Sequence, residues 1–183
     1  MRSDDELYRS FLSGDPSSYD ELMIRYGDSL TIFLNGYHHD WGDSEDLMIE
    51  AFARIMVKKP RIREGGFKAY LYKTARNLSS RFHSKTHRAD VFSLEGMETE
   101  LKDSFSLEDE LQDKERKRVL HLCLERIDPE MREALWLIYF EDMSYAQAAS
   151  VMGVNNKRVD KLLQRGKIHL RTELEKEGIS NAI

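Results

Sequence analysis

The sequence predicts an all-α protein. Three observations carry that prediction: apolar residues recur at three- and four-residue steps over long runs, alternating β-branched stretches are nearly absent, and 183 residues hold only three prolines and ten glycines. With 40% hydrophobic residues the chain can bury real cores, and its length suits one domain or two small ones.

Ser3 with Glu6 reads as a capping box that opens a first helix, carrying Leu7, Phe11 and Leu12 and stopping at Gly14-Asp15-Pro16. Pro16 starts a longer helix whose buried face is Tyr19, Leu22, Met23, Tyr26, Leu30, Phe33 and Leu34. A polar turn through His38-His39-Asp40-Trp41-Gly42 follows, with Asp43 as the expected N-cap. The third helix, Ser44 to about Lys58, buries Leu47, Ala51, Phe52, Ile55 and Met56 and exposes Glu45, Asp46, Glu50 and Arg54. Its acidic first turn complements the helix dipole. After the basic loop 58–66, a fourth helix runs from Phe67 to about Arg81, with Phe67, Leu71, Ala75, Leu78 and Phe82 inward and Lys68, Tyr72, Lys73, Arg76 and Ser79 outward.

Residues 83–105 lack a sustained period and are rich in Ser, Thr, Asp and Glu, which reads as a flexible linker. A second helical unit begins near Ser106, its first helix marked by Leu107, Leu111, Val119, Leu120, Leu122, Cys123 and Ile127. Asp128-Pro129 supplies an N-cap and a proline at the first helical position, and Met131, Leu135, Ile138 and Tyr139 form the next apolar face.

The chain then reads as a helix-turn-helix. Ser144 and Gln147 form a capping box; Ala148, Ala149 and Met152 give the short helix its apolar side, and Gly153 provides the positive φ that a tight turn needs. Val154 fills the corner, Asn155 caps a second helix, and Val159, Leu162 and Leu163 are its buried stripe. Lys157, Arg158, Lys161, Arg165, Lys167 and Arg171 remain on or near its outer surface, which suits a DNA major groove.

The net charge of −5 disfavours nucleic acid only on average. Residues 1–60 carry −6, residues 61–90 carry +6, residues 91–113 carry −7, residues 114–143 carry −1 and residues 144–183 carry +3. Two basic zones flanking an acidic connector point to two places that meet phosphates. In the first zone, aromatic rings interleave with cations, as a single-strand platform requires, although Tyr70 and Tyr72 could equally edge the core. The lone Cys123 reads as a core thiol, and His38-His39 near Asp40 and Asp43 lacks the inward-facing spacing of a metal site. The acidic Met1-Arg-Ser-Asp-Asp-Glu has no signal-peptide core, so cytoplasmic residence is expected.

Taken in order, Gly14-Asp15, Asp43-Ser-Glu-Asp-Leu-Met-Ile-Glu-Ala-Phe52 and Phe67-Lys-Ala-Tyr-Leu-Tyr-Lys-Thr-Ala-Arg-Asn77 resemble region two of the extracytoplasmic-function (ECF) sigma factors, the minimal sigma subunits of bacterial RNA polymerase. Asp128-Pro-Glu-Met-Arg-Glu-Ala-Leu135, Tyr139-Phe-Glu-Asp-Met-Ser-Tyr-Ala146 and the helix-turn-helix resemble region four. The resemblance implies a region-two domain at 1–88, an acidic linker at 89–105 and a region-four domain at 106–178. It implies no enzyme activity and no cofactor or metal.

By the same resemblance the partners are core RNA polymerase, through its β′ clamp and β flap, promoter DNA and an anti-sigma factor, with no membrane insertion. Asp46, Leu47, Glu50 and Arg54 would dock on the clamp. Lys58, Arg61, Arg63, Lys68, Tyr72, Lys73, Arg76 and Asn77 would hold the opened −10 element. Asn156, Lys157, Arg158, Lys161, Arg165, Lys167 and Arg171 would meet the −35 element. The linker acids would let that segment occupy the polymerase's RNA channel. Ile49 stands where the family often has Gln, and Lys157-Arg158 and Asp160-Lys161 replace its common recognition-helix pairs. A stand-alone operator-binding regulator and an interaction-only helical protein are the competing readings.

Overall fold

The computed structural model describes residues 1–86, 91–93, 116 and 118–179, and all regular structure among them is helical. The order is α1 (Asp4–Leu12), α2 (Pro16–His38), α3 (Trp41–Lys58), α4 (Phe67–Thr86), α5 over 118–125, α6 (Pro129–Tyr139), α7 (Tyr145–Met152) and α8 (Asn156–Lys176). The expected marks Leu107 and Leu111, and linker residues 94–105, lie outside the described residues, as does most of the acidic connector assigned to the RNA channel.

Local chemistry sets the helix starts. Ser3 Oγ accepts from Glu6 N at 3.2 Å while the Glu6 carboxylate accepts from Ser3 N at 2.7 Å. The Ser3 hydrogen bonds hold the Glu6 carboxyl below its usual range. Asp15 accepts from Ser17 N, with Pro16 beside it in the first turn of α2. The start of α3 differs from expectation: Asp40, not Asp43, is the N-cap, and it accepts from Asp43 N at 2.9 Å. His39 ends α2 in the left-handed region at φ 54° and Asp40 is extended, so the chain turns and restarts a helix without a longer loop.

Helices α1 to α4 pack into one bundle. Leu7, Leu22, Leu30, Phe52, Ile55 and Leu71 are its buried centre, and Tyr19 joins α2 to α3 by donating to Phe52 O at 2.6 Å. Leu12 and Met56 are exposed, contrary to expectation, because each lies in the last turn of its helix, where the apolar stripe runs off the core. Helix α4 continues past Arg81 because Phe82 and His83 find partners. His83 stacks on His38 at 4.5 Å, and Phe82 meets the same ring edge-on at 5.0 Å. His38 is therefore a buried residue of the last turn of α2 rather than part of a polar turn.

Helices α5 to α8 form the second bundle. Asp128 caps α6 and Pro129 follows it as expected. Gly166 lets α8 approach α6 closely, since a Cβ there would lie 3.1 Å from Leu135 Cδ1. Cys123 is fully buried, whereas Tyr139 is 52% exposed in the last turn of α6.

The two bundles touch along α4 and α7. Part of the expected linker belongs to that contact. Phe92 is 2% exposed, with ring centroids 5.6 Å from Phe33, 5.1 Å from Tyr37 and 6.1 Å from Trp136. Ser93 N donates to Gly36 O at 2.6 Å. Buried Arg132 donates to the carbonyls of Leu124, Glu125 and Ile127, which satisfies the end of α5, and to that of Phe92.

Candidate nucleic-acid interface

The helix-turn-helix follows its sequence chemistry closely. Ser144 Oγ accepts from Gln147 N at 3.2 Å, and Gln147 Oε1 accepts from Ser144 N at 2.8 Å. Gly153 closes α7 at φ 70°, and Asn155 Oδ1 accepts from Arg158 N at 2.8 Å to begin α8. Val159, Leu162 and Leu163 anchor α8. Asn156, Lys157, Arg158, Lys161, Arg165 and Arg171 are exposed. Lys157, Lys161 and Arg165 are spaced four apart and share one strip, which Ile168, 64% exposed, continues. Arg158 pairs with Glu130, and Lys167 is half-buried with its Nζ 5.2 Å from the centre of the Tyr139 ring.

The first basic zone divides. Lys58, Arg61, Arg63, Lys73 and Asn77 are exposed. The loop that carries Arg61 and Arg63 is tied to α1, where Tyr8 donates to Pro60 O at 2.8 Å and Asp5 accepts from Gly65 N at 2.8 Å. Burial pushes the Tyr8 hydroxyl up to about 12.

Lys68, Tyr72 and Arg76 instead face the second bundle. Lys68 Nζ lies 3.2 Å from Glu141 Oε2 and also donates to Glu141 O. Tyr72, expected outward, has no exposed surface; its hydroxyl donates to Glu141 Oε2 at 2.6 Å and meets Ser29 Oγ at 2.9 Å. Burial, and then the Glu141 charge, raise its pKa far above the usual phenol range. Arg76 forms a two-pronged pair with Glu133, at 2.7 and 3.1 Å, and its Nε also reaches Tyr37 Oη at 3.2 Å. Ser79, also expected outward, is buried. Tyr72 is misplaced because its hydroxyl is taken by Glu141 of the second bundle and its ring lies 5.2 Å from that of Phe33 on α2, partners that the periodicity of α4 does not reveal.

On α3, Asp46 and Glu50 are exposed, and Glu50 pairs with Arg54 at 2.6 Å. Leu47 is buried, so it supports this surface from within and offers nothing to a partner. Exposed Ile49 and Val57 lie along the same side, an apolar component that charge patterning does not reveal. Among the described residues no group of three or more His, Cys, Asp or Glu could hold a metal ion. No helix among them is long and apolar enough to cross a membrane.

Comparison with known proteins agrees with this arrangement. Residues 22–89 match the family model for sigma-70 region 2, and residues 117–170 match that for sigma-70 region 4. The chain is 28% identical over 173 residues to the ECF RNA polymerase sigma factor SigE of Mycolicibacterium smegmatis, covering 90% of this chain and 65% of that protein. It is 26% identical over 162 residues to the RNA polymerase sigma-H factor of Pseudomonas aeruginosa, covering 83% of each. Among solved structures, CnrH in complex with the cytosolic domain of CnrY superposes with a TM-score of 0.64 at 19% identity, over 94% of this chain and 97% of that one. The sigma factor RpoE of Bartonella quintana, in complex with the anti-sigma factor NepR, gives 0.58 at 18% identity, over 86% and 96%. With region 2 and region 4 following one another in a single chain that has ECF sigma factors among its relatives, the protein belongs to the sigma-70 family.

Proposed function

We propose that this chain is a promoter-specificity subunit that binds core RNA polymerase, reads the −35 element through α8 and holds the opened −10 element through the loop before α4 and its first turns. The exposed strip of Lys157, Lys161 and Arg165 carries the reading, because a helix that enters a major groove needs cations free along one line near its N-terminus. The docking surface is the outer side of α3, where Asp46 and Glu50 edge exposed Ile49 and Val57. The functional units are residues 1–88 and 106–178, and the chain acts in the cytoplasm as a subunit without catalytic chemistry of its own. The relatives' complexes with CnrY and NepR support an anti-sigma factor as a further partner.

Run-off transcription with purified core polymerase on a genomic promoter pool tests the reading. Specific transcripts that require the chain are expected; their absence at saturating chain sinks it.

A further inference from the structure

The outer face of α8 carries one group that phosphate binding alone does not call for. Lys157, Lys161 and Arg165 are exposed there, yet half-buried Asp160 stands among them and brings a negative charge toward a polyanion. Its carboxylate has a partner on the same helix: Gln164 Nε2 donates to Asp160 Oδ2 at 3.0 Å. A pair at this spacing helps any helix slightly. Here, however, it lies toward the side opposite Val159, Leu162, Leu163 and Gly166, the residues by which α8 is anchored, and Gln164 is exposed.

The carboxylate decides which way the amide faces. An ionised Asp only accepts hydrogen bonds, so it takes the amide nitrogen of Gln164 and turns the amide oxygen away from itself. One Nε2 hydrogen is used in that bond. The second hydrogen and Oε1 remain side by side, one donor next to one acceptor. Gln164 also lies within reach of base edges, about 12 Å along the helix axis from Asn156 and thus within one major-groove width, whereas Arg171 is about 22 Å along.

A donor beside an acceptor complements adenine, whose major-groove edge offers N7 as acceptor and the N6 amino group as donor. Guanine presents two acceptors, so its O6 would face Gln164 Oε1 with no hydrogen between them. Thymine offers one acceptor and cytosine one donor, each enough for a single bond. We propose that Gln164 reads an adenine of the −35 element and that Asp160 is the positioning residue that sets its amide for that base. The proposal rests on the assignment of α8 to the −35 element.

The experiment selects duplexes from a library randomised across the −35 element, using core polymerase with the full chain, and sequences the bound fraction. At one fixed position the wild type should favour adenine over guanine by about tenfold or more. Gln164→Ala should erase the preference at that position alone. Gln164→Arg should switch it to guanine, because a guanidinium donates to O6 and N7 together. Asp160→Asn removes a negative charge and so strengthens binding to every sequence, which makes base preference the informative readout. Adenine should remain first in Asp160→Asn with its advantage reduced severalfold, since Asn both donates and accepts and no longer imposes one orientation on the amide. In a Gln164→Ala background the same change should alter nothing at that position.

One defined motif selected alike by the wild type, Gln164→Ala and Gln164→Arg would overturn the proposal and leave the pair as a helix-stabilising contact only. Adenine preference lost in Gln164→Ala but untouched in Asp160→Asn would overturn the positioning role of Asp160. If the wild type enriched no sequence at all across the −35 element, and Lys161→Ala bound the library as the wild type does, the assignment of α8 would itself fall, and the proposal with it.

Discussion

Gly36 sits beneath Phe92, and the closeness of that contact gives a prediction with a sign change. A Cβ at position 36 would lie 2.4 Å from Phe92 Cε2 and 2.9 Å from two more ring atoms. Replacing a helix-interior glycine by alanine should by itself stabilise α2 by about 1 kcal/mol. Here the ring must move, and overpacking of this kind costs about 1–3 kcal/mol. The cost cannot exceed what expelling Phe92 would lose, about 1.5–3 kcal/mol of burial plus about 0.5–1.5 kcal/mol for each aromatic pair. Gly36→Ala should therefore destabilise the chain by up to about 2 kcal/mol in urea unfolding. Phe92→Ala should cost about 3 kcal/mol. In the Phe92→Ala background, however, the alanine at 36 meets no ring, and its helix preference is released. The double variant should be about 1 kcal/mol more stable than Phe92→Ala alone. The coupling is thus about 1–3 kcal/mol, above the few tenths expected for independent sites. If Gly36→Ala stabilised both backgrounds equally, Phe92 would not be seated on α2.

Other outcomes follow from exposed and capped positions. Replacing Asp46 and Glu50 with Lys should weaken core polymerase binding in a pull-down titration with helicity nearly unchanged, because the exposed Glu50–Arg54 pair contributes only about 0.3–0.5 kcal/mol to folding. In a promoter-library selection Arg158→Ala should alter the preferred −35 sequence, at a cost of about 1–3 kcal/mol on the original site. Arg171→Ala should leave the sequence unchanged and lower the salt slope of binding by roughly one. Asn77→Ala, at an exposed position of α4, should reduce permanganate reactivity of the melted strand more than it reduces duplex binding; normal melting would remove Asn77 from the strand face. Ser144→Ala should cost about 1 kcal/mol in thermal unfolding, by leaving the first turn of α7 uncapped.

Features written in neighbouring residues are legible in the sequence alone. The two capping boxes, Pro16 and Pro129 in the first turns of their helices, the turn at Gly153 and the buried stripe of α8 all depend on residues within a few positions of each other. What is not legible depends on distant segments. Tyr72 looks outward on a helical wheel, yet its hydroxyl is taken by Glu141, roughly seventy residues onward in the second bundle, and its ring packs on Phe33 of α2. The burial of His38 is hidden because its partner is His83 on another helix. Phe92 does leave a trace, a large aromatic residue in a stretch rich in Ser, Thr, Asp and Glu, but without a period it cannot be assigned to a face. Arg54 and Arg76 look alike as exposed helical cations. One pairs with Glu50 within its own helix, the other with a carboxylate from the opposite bundle.

The side chain of Gln147 does two jobs with its two ends. Its oxygen accepts from Ser144 N and closes the cap that starts α7, while its nitrogen donates to the carbonyl of Gly65 in the loop ahead of α4. Glutamate would serve the cap equally well, yet it would turn a donor into a second acceptor facing that carbonyl. Glutamine is thus the capping residue that also ties α7 to the loop ahead of α4. One oxygen in place of one nitrogen would leave the cap intact and remove this tie between α7 and the loop ahead of α4.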